Sequence, residues 1–350
     1  MKKAVSRIFR LVLTVAIIAA LVLFARKVNW ASTWQSITDA NRTVLLLAAV
    51  VNLLSLALKG VRWWIFLRPV GAESLWMAIK ATFAGAGLNN ILVANGGEAA
   101  RVVFVARAAH VQSAKVLATL ALERMFEFIG YIVLLALSVS FLELPHSVER
   151  TRPLAWAILV GVIALMIFLV RRPERAETLA APTVVGVRAR VSAYVKHLMQ
   201  TIGGISTGPR FAVALALSVG IWAMQVWTYS LTARAANFNL PLVGTVAAIL
   251  AVNLGFAVRA TPGNVGVFQA MYAATAVGFG MDQDQAIAVA LLIQTQQIIP
   301  ITLIGVALAP EFILKRKKVV RAGDEGLSLP SRPEAAADAA VGPATTLRPK

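Results

Sequence analysis

The sequence predicts an all-α polytopic membrane protein, with about six full transmembrane spans and two broken or re-entrant helical units in an inverted repeat. Three observations carry this. Of the 350 residues, 59% are hydrophobic and only 14% charged, far from the balance of a soluble domain. The apolar residues gather into stretches of about 17 to 25, the length that crosses a bilayer. Two further stretches are interrupted by short polar segments, Asn95-Gly96-Gly97-Glu98-Ala99-Ala100-Arg101 and Arg259-Ala260-Thr261-Pro262-Gly263-Asn264-Val265-Gly266. In lipid every backbone N–H and C=O needs a partner, so irregular backbone is tolerated only where it lines a cavity or is buried in protein. A matched pair of breaks in the two halves of a chain is the pattern of a transporter binding site.

Taken in order, the first span is Ile8–Ala25, among and after Lys2, Lys3, Arg7 and Arg10. It is long for a signal-peptide core and ends in Arg26-Lys27 without a small-residue cleavage site, so it reads as an uncleaved span. Full spans follow at Thr43–Leu67, Val116–Leu142, Leu154–Val170, Phe211–Ala233 and Ala286–Ala309. The segments from Leu75 to about Ala109 and from Leu242 to about Gly280 are the broken ones, each read as two half-length helices that enter and return.

Lys and Arg in the loops set orientation. The basic N-terminus, Lys315-Arg316-Lys317-Lys318, and the linker carrying Arg171, Arg172, Arg175, Arg188, Arg190, Lys196 and Arg210 are all expected in the cytoplasm. Six crossings plus two re-entrant units satisfy these assignments. The first unit then opens from the cytoplasm, beside Arg62, Arg68, Arg107 and Lys115, and the second from the far side, beside Asp282 and Asp284. Eight full crossings would also put both ends inside. The expected organisation is a membrane domain over residues 1–314, with repeat one at 43–142, a basic linker at 171–210 and repeat two at 211–309. Residues 315–350 follow as a tail, basic and then, from about Ala322, disordered. In the linker, Val184, Val187, Val191, Tyr194, Leu198 and Ile202 recur at helical steps, suiting a helix on the membrane surface or one packed on the protein.

The net charge of +18 would suggest nucleic-acid binding in a soluble chain. Here the basic residues sit at the ends of apolar runs, which reads as a topology signal, with no nucleic-acid partner. Without cysteine there is no disulfide, thiolate metal site or cysteine nucleophile. His110, His146 and His197 lack metal-ligand spacing. No nucleotide motif is present, and no cofactor or metal is expected.

Charged residues inside spans are costly, about 2.5–3.5 kcal/mol each at a helix centre, and so are functional candidates. The third full span holds Glu123, Arg124 and Glu127; Glu123 and Glu127 share a face, and Arg124 can pair with Glu127 three residues on. A fixed ion pair between helices is the competing reading. Glu98 and Arg101, after Gly96-Gly97, share a face of the returning half-helix, whose free N–H groups with an arginine suit phosphate; alternatively the glycines form a simple turn. In the second break Arg259 precedes Thr261, a candidate N-cap, and Pro262-Gly263. Gly266 allows close backbone approach and Gln269 lies on the next half-helix; a loop cap explains these too. Asn52, Asn253, Gln294, Gln296 and Gln297 read mostly as interhelical hydrogen-bonding residues. Lys59, Arg62 and Arg68, near a span end, are expected to reach out to headgroups.

The Gly-Gly-Glu-x-x-Arg motif at 96–101, Glu123-Arg124 about 25 residues later, and Pro262-Gly-x-x-Gly at 262–266 resemble the lysylphosphatidylglycerol synthase transmembrane family, also described as flippase-like. The resemblance covers about residues 8–315. It implies a lipid translocase of the bacterial inner membrane, with Gly97, Glu98, Arg101, Glu123 and Arg124 as counterparts of one motif and Pro262, Gly263 and Gly266 of the other. This chain departs from the family in having Gln269 where a glutamate is usual, and glutamines in the last span where a basic residue is common. It also lacks a soluble acyltransferase domain, so lipid aminoacylation is not expected.

The leading expectation is therefore transport of a polar-headgroup phospholipid or isoprenoid lipid, its anionic headgroup held by Arg101, Arg124 or Arg259, with Glu98, Glu123 and Glu127 as candidate proton carriers. The alternatives are an intramembrane lipid-modifying enzyme, using Glu123 and Glu127 as acid and base, and an inactive partner of a lipid-synthesis enzyme.

Overall fold

The structure, a computed structural model, describes residues 26, 28–91, 96–141, 153, 156–161, 164, 208–256 and 264–325. The expected first span, most of Leu154–Val170, the linker up to residue 207, Asn95, the segment 257–263 and the tail beyond Glu325 lie outside them.

Every regular element among the described residues is helical. In chain order the α-helices are α1 (Trp30–Thr38), α2 (Arg42–Leu67), α3 (Leu75–Ile91), α4 (Gly96–Ala108), α5 (Ser113–Phe141), α6 (Gly208–Ala235), α7 (Leu242–Gly255), α8 (Val267–Ala276) and α9 (Gln283–Glu325), with short 3-10 turns at Arg68–Val70 and Val277–Phe279. Arg42–Val70, Pro209–Ala235 and Gln283–Leu308 are long and apolar enough to cross a membrane, and the shorter apolar helices lie between the long ones.

Both broken segments are helical hairpins. At 17 and 13 residues, α3 and α4 extend roughly 25 and 20 Å, each less than the roughly 30 Å hydrocarbon core. They run antiparallel in backbone contact: a Cβ built on Gly85 would stand 3.0 Å from the Gly97 carbonyl oxygen. The Gly97 N–H donates to Asn89 Oδ1 at 2.9 Å. Their apolar face, with Ala78, Ala81, Val102 and Val105, packs on Trp63 and Leu67 of α2 and Val116 of α5. In the second hairpin a Cβ on Gly255 would lie 2.8 Å from Met271, and one on Gly244 2.9 Å from the Phe279 ring.

Each hairpin thus sits between two long helices, and the halves exchange contacts reciprocally. Besides α2 packing on α6, the first helix of each hairpin leans on the last helix of the other half. Thus α3 meets α9, where a Cβ on Gly87 would lie 2.8 Å from the Gly305 Cα and Asn90 Nδ2 donates to Thr302 Oγ1 at 2.9 Å. Likewise α7 meets α5, where the Tyr131 hydroxyl donates to the Leu250 carbonyl at 3.1 Å. This packing lies within the compact unit Met1–Ala309.

Two features depart from the sequence reading. The last helix continues to Glu325, past the apolar run and through Pro310 and Gly323. The short α1, only 9 residues long, is too brief for its periodicity to show in the sequence. Asn29 caps it, accepting from the Ser32 N–H at 3.2 Å, and its own N–H donates to Asp284 Oδ1 at the start of α9 at 3.0 Å. Trp30 and Trp34 stand exposed on it, as suits an interfacial helix.

Candidate functional site

Seven charged side chains from three helices converge at the first hairpin. Lys59 and Arg62 come from α2, Glu98 and Arg101 from the first turns of α4, and Glu123, Arg124 and Glu127 from the interior of α5. Three- and four-residue steps put each set on one helix face, and the Gly85–Gly97 contact brings α4 close enough to reach α5. Lys59 Nζ meets Glu127 Oε1 at 2.6 Å, Arg124 Nη1 meets Glu127 Oε2 at 2.6 Å, and Arg124 also pairs with Glu98. Lys59, Glu127, Arg124 and Glu98 therefore form one alternating chain of charge. Beside it Arg101 pairs with Glu123, at 6% and 3% exposure. The Arg101 guanidinium lies 4.0 Å from the centroid of the Trp63 ring, and the Trp63 Nε1–H donates to Thr119 Oγ1 at 3.0 Å. Arg124 is the open side of the cluster, 49% exposed.

The expected Arg124–Glu127 pair is present, and Glu98 and Arg101 do point together, both toward α5. Ion pairs link α4 to α5 and α2 to α5, as the fixed-pair reading also anticipates. Lys59 and Arg62 correct the expectation that they reach for headgroups. Lys59 is tied to Glu127, and Arg62 is fully buried, its Nη1 donating to Ser218 Oγ at 2.8 Å. The missed signal was periodic: Asn52, Ser55, Lys59 and Arg62 recur at helical steps, on the face of α2 that meets α6. Arg68, which carried the same expectation, is exposed and stacks on Trp64, 4.9 Å from its ring centroid.

That face continues as an uncharged seam. On α6, Ser218, Trp222, Gln225, Tyr229 and Thr232 recur at four- and three-residue steps over roughly 21 Å of helix. Trp222 Nε1–H donates to the Glu127 carbonyl at 3.3 Å, and Gln225 Nε2 to Ser55 Oγ at 2.7 Å and Asn52 Oδ1 at 3.3 Å. From α9, Gln297 Nε2 donates to Gln225 Oε1 at 3.4 Å and Gln296 to the Thr232 hydroxyl. The interhelical role expected of these glutamines and of Asn52 holds. Asn253 differs, donating to the Ile249 carbonyl of its own helix at 2.8 Å.

At the second break the half-helix begins at Val267, with Gly266 at its cap. Gly266 has φ +89°, a conformation that favours glycine. Its N–H donates to Gln269 Oε1 at 2.6 Å, and Gln269 Nε2 donates to Gln294 Oε1 at 2.6 Å. Arg259, Thr261, Pro262 and Gly263 are outside the described residues. Gln269→Ala should lower stability by about 1–3 kcal/mol, because it removes the bond to the Gly266 N–H and the Gln269 donor to the buried Gln294 Oε1. Thermal unfolding in detergent checks this, and an unchanged Tm would count against it.

The family model for the lysylphosphatidylglycerol synthase TM region matches residues 11–305. No curated protein matches the chain.

Proposed function

The chain belongs to the lysylphosphatidylglycerol synthase TM-region family, and from that membrane-lipid context we propose that it is a bacterial inner-membrane lipid translocase. The observation that carries this reading is the cross-paired charge cluster, Glu98 and Arg101 at the tip of a half-length hairpin against Glu123, Arg124 and Glu127. Such a cluster is costly in lipid, and its half-exposed Arg124 offers a place where a headgroup phosphate can exchange for a carboxylate. The uncharged seam of Ser55, Gln225, Gln297 and Thr232 supplies hydrogen-bonding partners at other depths. The acyl chains would stay in the bilayer.

The reciprocal packing of the halves supports an inverted repeat, 43–142 against 211–309, whose rocking would expose the site alternately. Both termini would be cytoplasmic, with the first hairpin opening inward and the second outward. Cysteine labelling at Arg107 and Asp282 in this cysteine-free chain should report opposite sides of the membrane; the same side for both would overturn the topology. Transport is favoured over chemistry because Glu123 and Glu127, the candidate acid and base, are each held by cations. The substrate would be a polar-headgroup phospholipid or isoprenoid lipid, and a lipid-synthesis enzyme is a fitting partner. Purified protein in liposomes should move labelled lipids across the bilayer in a headgroup-dependent way. No transfer across anionic, cationic and isoprenoid lipids would sink the proposal.

A further inference from the structure

We propose that Arg62 anchors a buried site for a singly charged phosphodiester between α2, α5 and α6. The inference rests on reading the charge cluster as the headgroup site and names the residue that takes the anion. Arg62 is 0% exposed, and among the described residues one of its nitrogens has a partner: Nη1 donates to Ser218 Oγ at 2.8 Å, while Nε and Nη2 have none. Those two nitrogens form one edge of the guanidinium, the edge whose parallel N–H bonds fit two oxygens of a phosphate or carboxylate. Leaving that edge empty in a buried position costs free energy.

Charge balance points the same way. Among the described residues the cluster holds four cations, Lys59, Arg62, Arg101 and Arg124, against three carboxylates, Glu98, Glu123 and Glu127. Every carboxylate is taken by a cation other than Arg62, and both oxygens of Glu127 are occupied, by Lys59 and Arg124. One positive charge is left over, and a phosphodiester supplies one negative charge together with two oxygens for the free edge. Arg101 and Arg124 then act as the rim of the site, already committed to carboxylates, and Arg124 marks the side from which the anion enters.

The test is a thermal-shift titration of the full-length protein in a non-ionic detergent with dioctanoyl-phosphatidylglycerol, a phosphodiester monoanion. Parallel arms use dioctanoyl-phosphatidylcholine and inorganic phosphate. Wild type should be stabilised more by the phosphatidylglycerol than by phosphatidylcholine, which carries the same phosphodiester but adds a choline cation and so leaves the excess positive charge in place. Arg62→Met should raise the half-saturating concentration at least tenfold. Arg62→Lys, which keeps the charge but loses the two-pronged edge, should fall between, and it carries the test if the methionine variant does not fold. Arg68→Gln, outside the cluster, should titrate as wild type. A full shift with inorganic phosphate would identify the free anion, in place of the lipid, as occupant of the same site. Equal stabilisation by both lipids, or unchanged titration of Arg62→Met, or of Arg62→Lys should that variant carry the test, would overturn the inference. The translocase reading fails separately: lipid binding through Arg62 without transfer in liposomes rejects transport alone, whereas transfer with Arg62-independent binding rejects this site alone.

Discussion

Glu123→Gln should destabilise the protein by about 3–5 kcal/mol, the cost of leaving one member of a buried ion pair without its counter-charge. Glu123 and Arg101 are 3% and 6% exposed, and the Trp63 ring covers one face of the Arg101 guanidinium, so bulk water does not reach the lost carboxylate's place. Thermal unfolding reads the effect directly. The double replacement Arg101→Met with Glu123→Leu should recover most of the lost stability, since well-packed apolar residues often replace a buried pair without net loss. It should nevertheless abolish lipid transfer. A double variant that folds and still moves lipid would show the pair to be helix-joining only and would remove it from the mechanism.

Gly97→Ala should cost about 2–4 kcal/mol, the sum of overpacking at a tight contact and a lost, partly buried hydrogen bond. The added Cβ would run into the Gly85 carbonyl oxygen and would lie 2.7 Å from the Asn89 backbone nitrogen. Backbone cannot turn away as a side chain can, so α3 and α4 would have to separate. The Gly97–Asn89 bond would go with them, and Glu98 and Arg101, one and four residues on, would move out of register with α5. Transfer should therefore fall further than stability alone explains. The control is Gly220→Ala, where a Cβ meets nothing within 4 Å and helix propensity favours alanine. If Gly97→Ala unfolds at the same temperature as Gly220→Ala, the close hairpin contact is not what holds the site together.

Much of the helical order was legible because lipid enforces a local rule, that each span satisfies its own backbone. Thr43–Leu67 became α2 and Phe211–Ala233 became α6, while residues 96–101 of the first polar segment form the opening turns of α4 and residues 257–263 lie outside the described residues. The site was half legible. Arg124–Glu127, three residues apart, follows from helix geometry, and the shared face of Glu98 and Arg101 does too. Arg62 was misassigned because position near a span end says where a side chain can go and not what lies opposite it. Its partner Ser218 is 156 residues away in the chain; Lys59 and Glu127 are separated by 68, and Glu98 and Arg124 by 26.

By itself, then, the sequence determined membrane residence, the order of long and broken helices, and which residues carry charge into lipid, since hydropathy and backbone satisfaction are properties of each segment alone. Only the tertiary structure decided which charges neutralise one another and which cation is left over. Pairing depends on close glycine contacts such as Gly85–Gly97 and on helices that meet across the chain, and neither distance nor facing is encoded in any single segment.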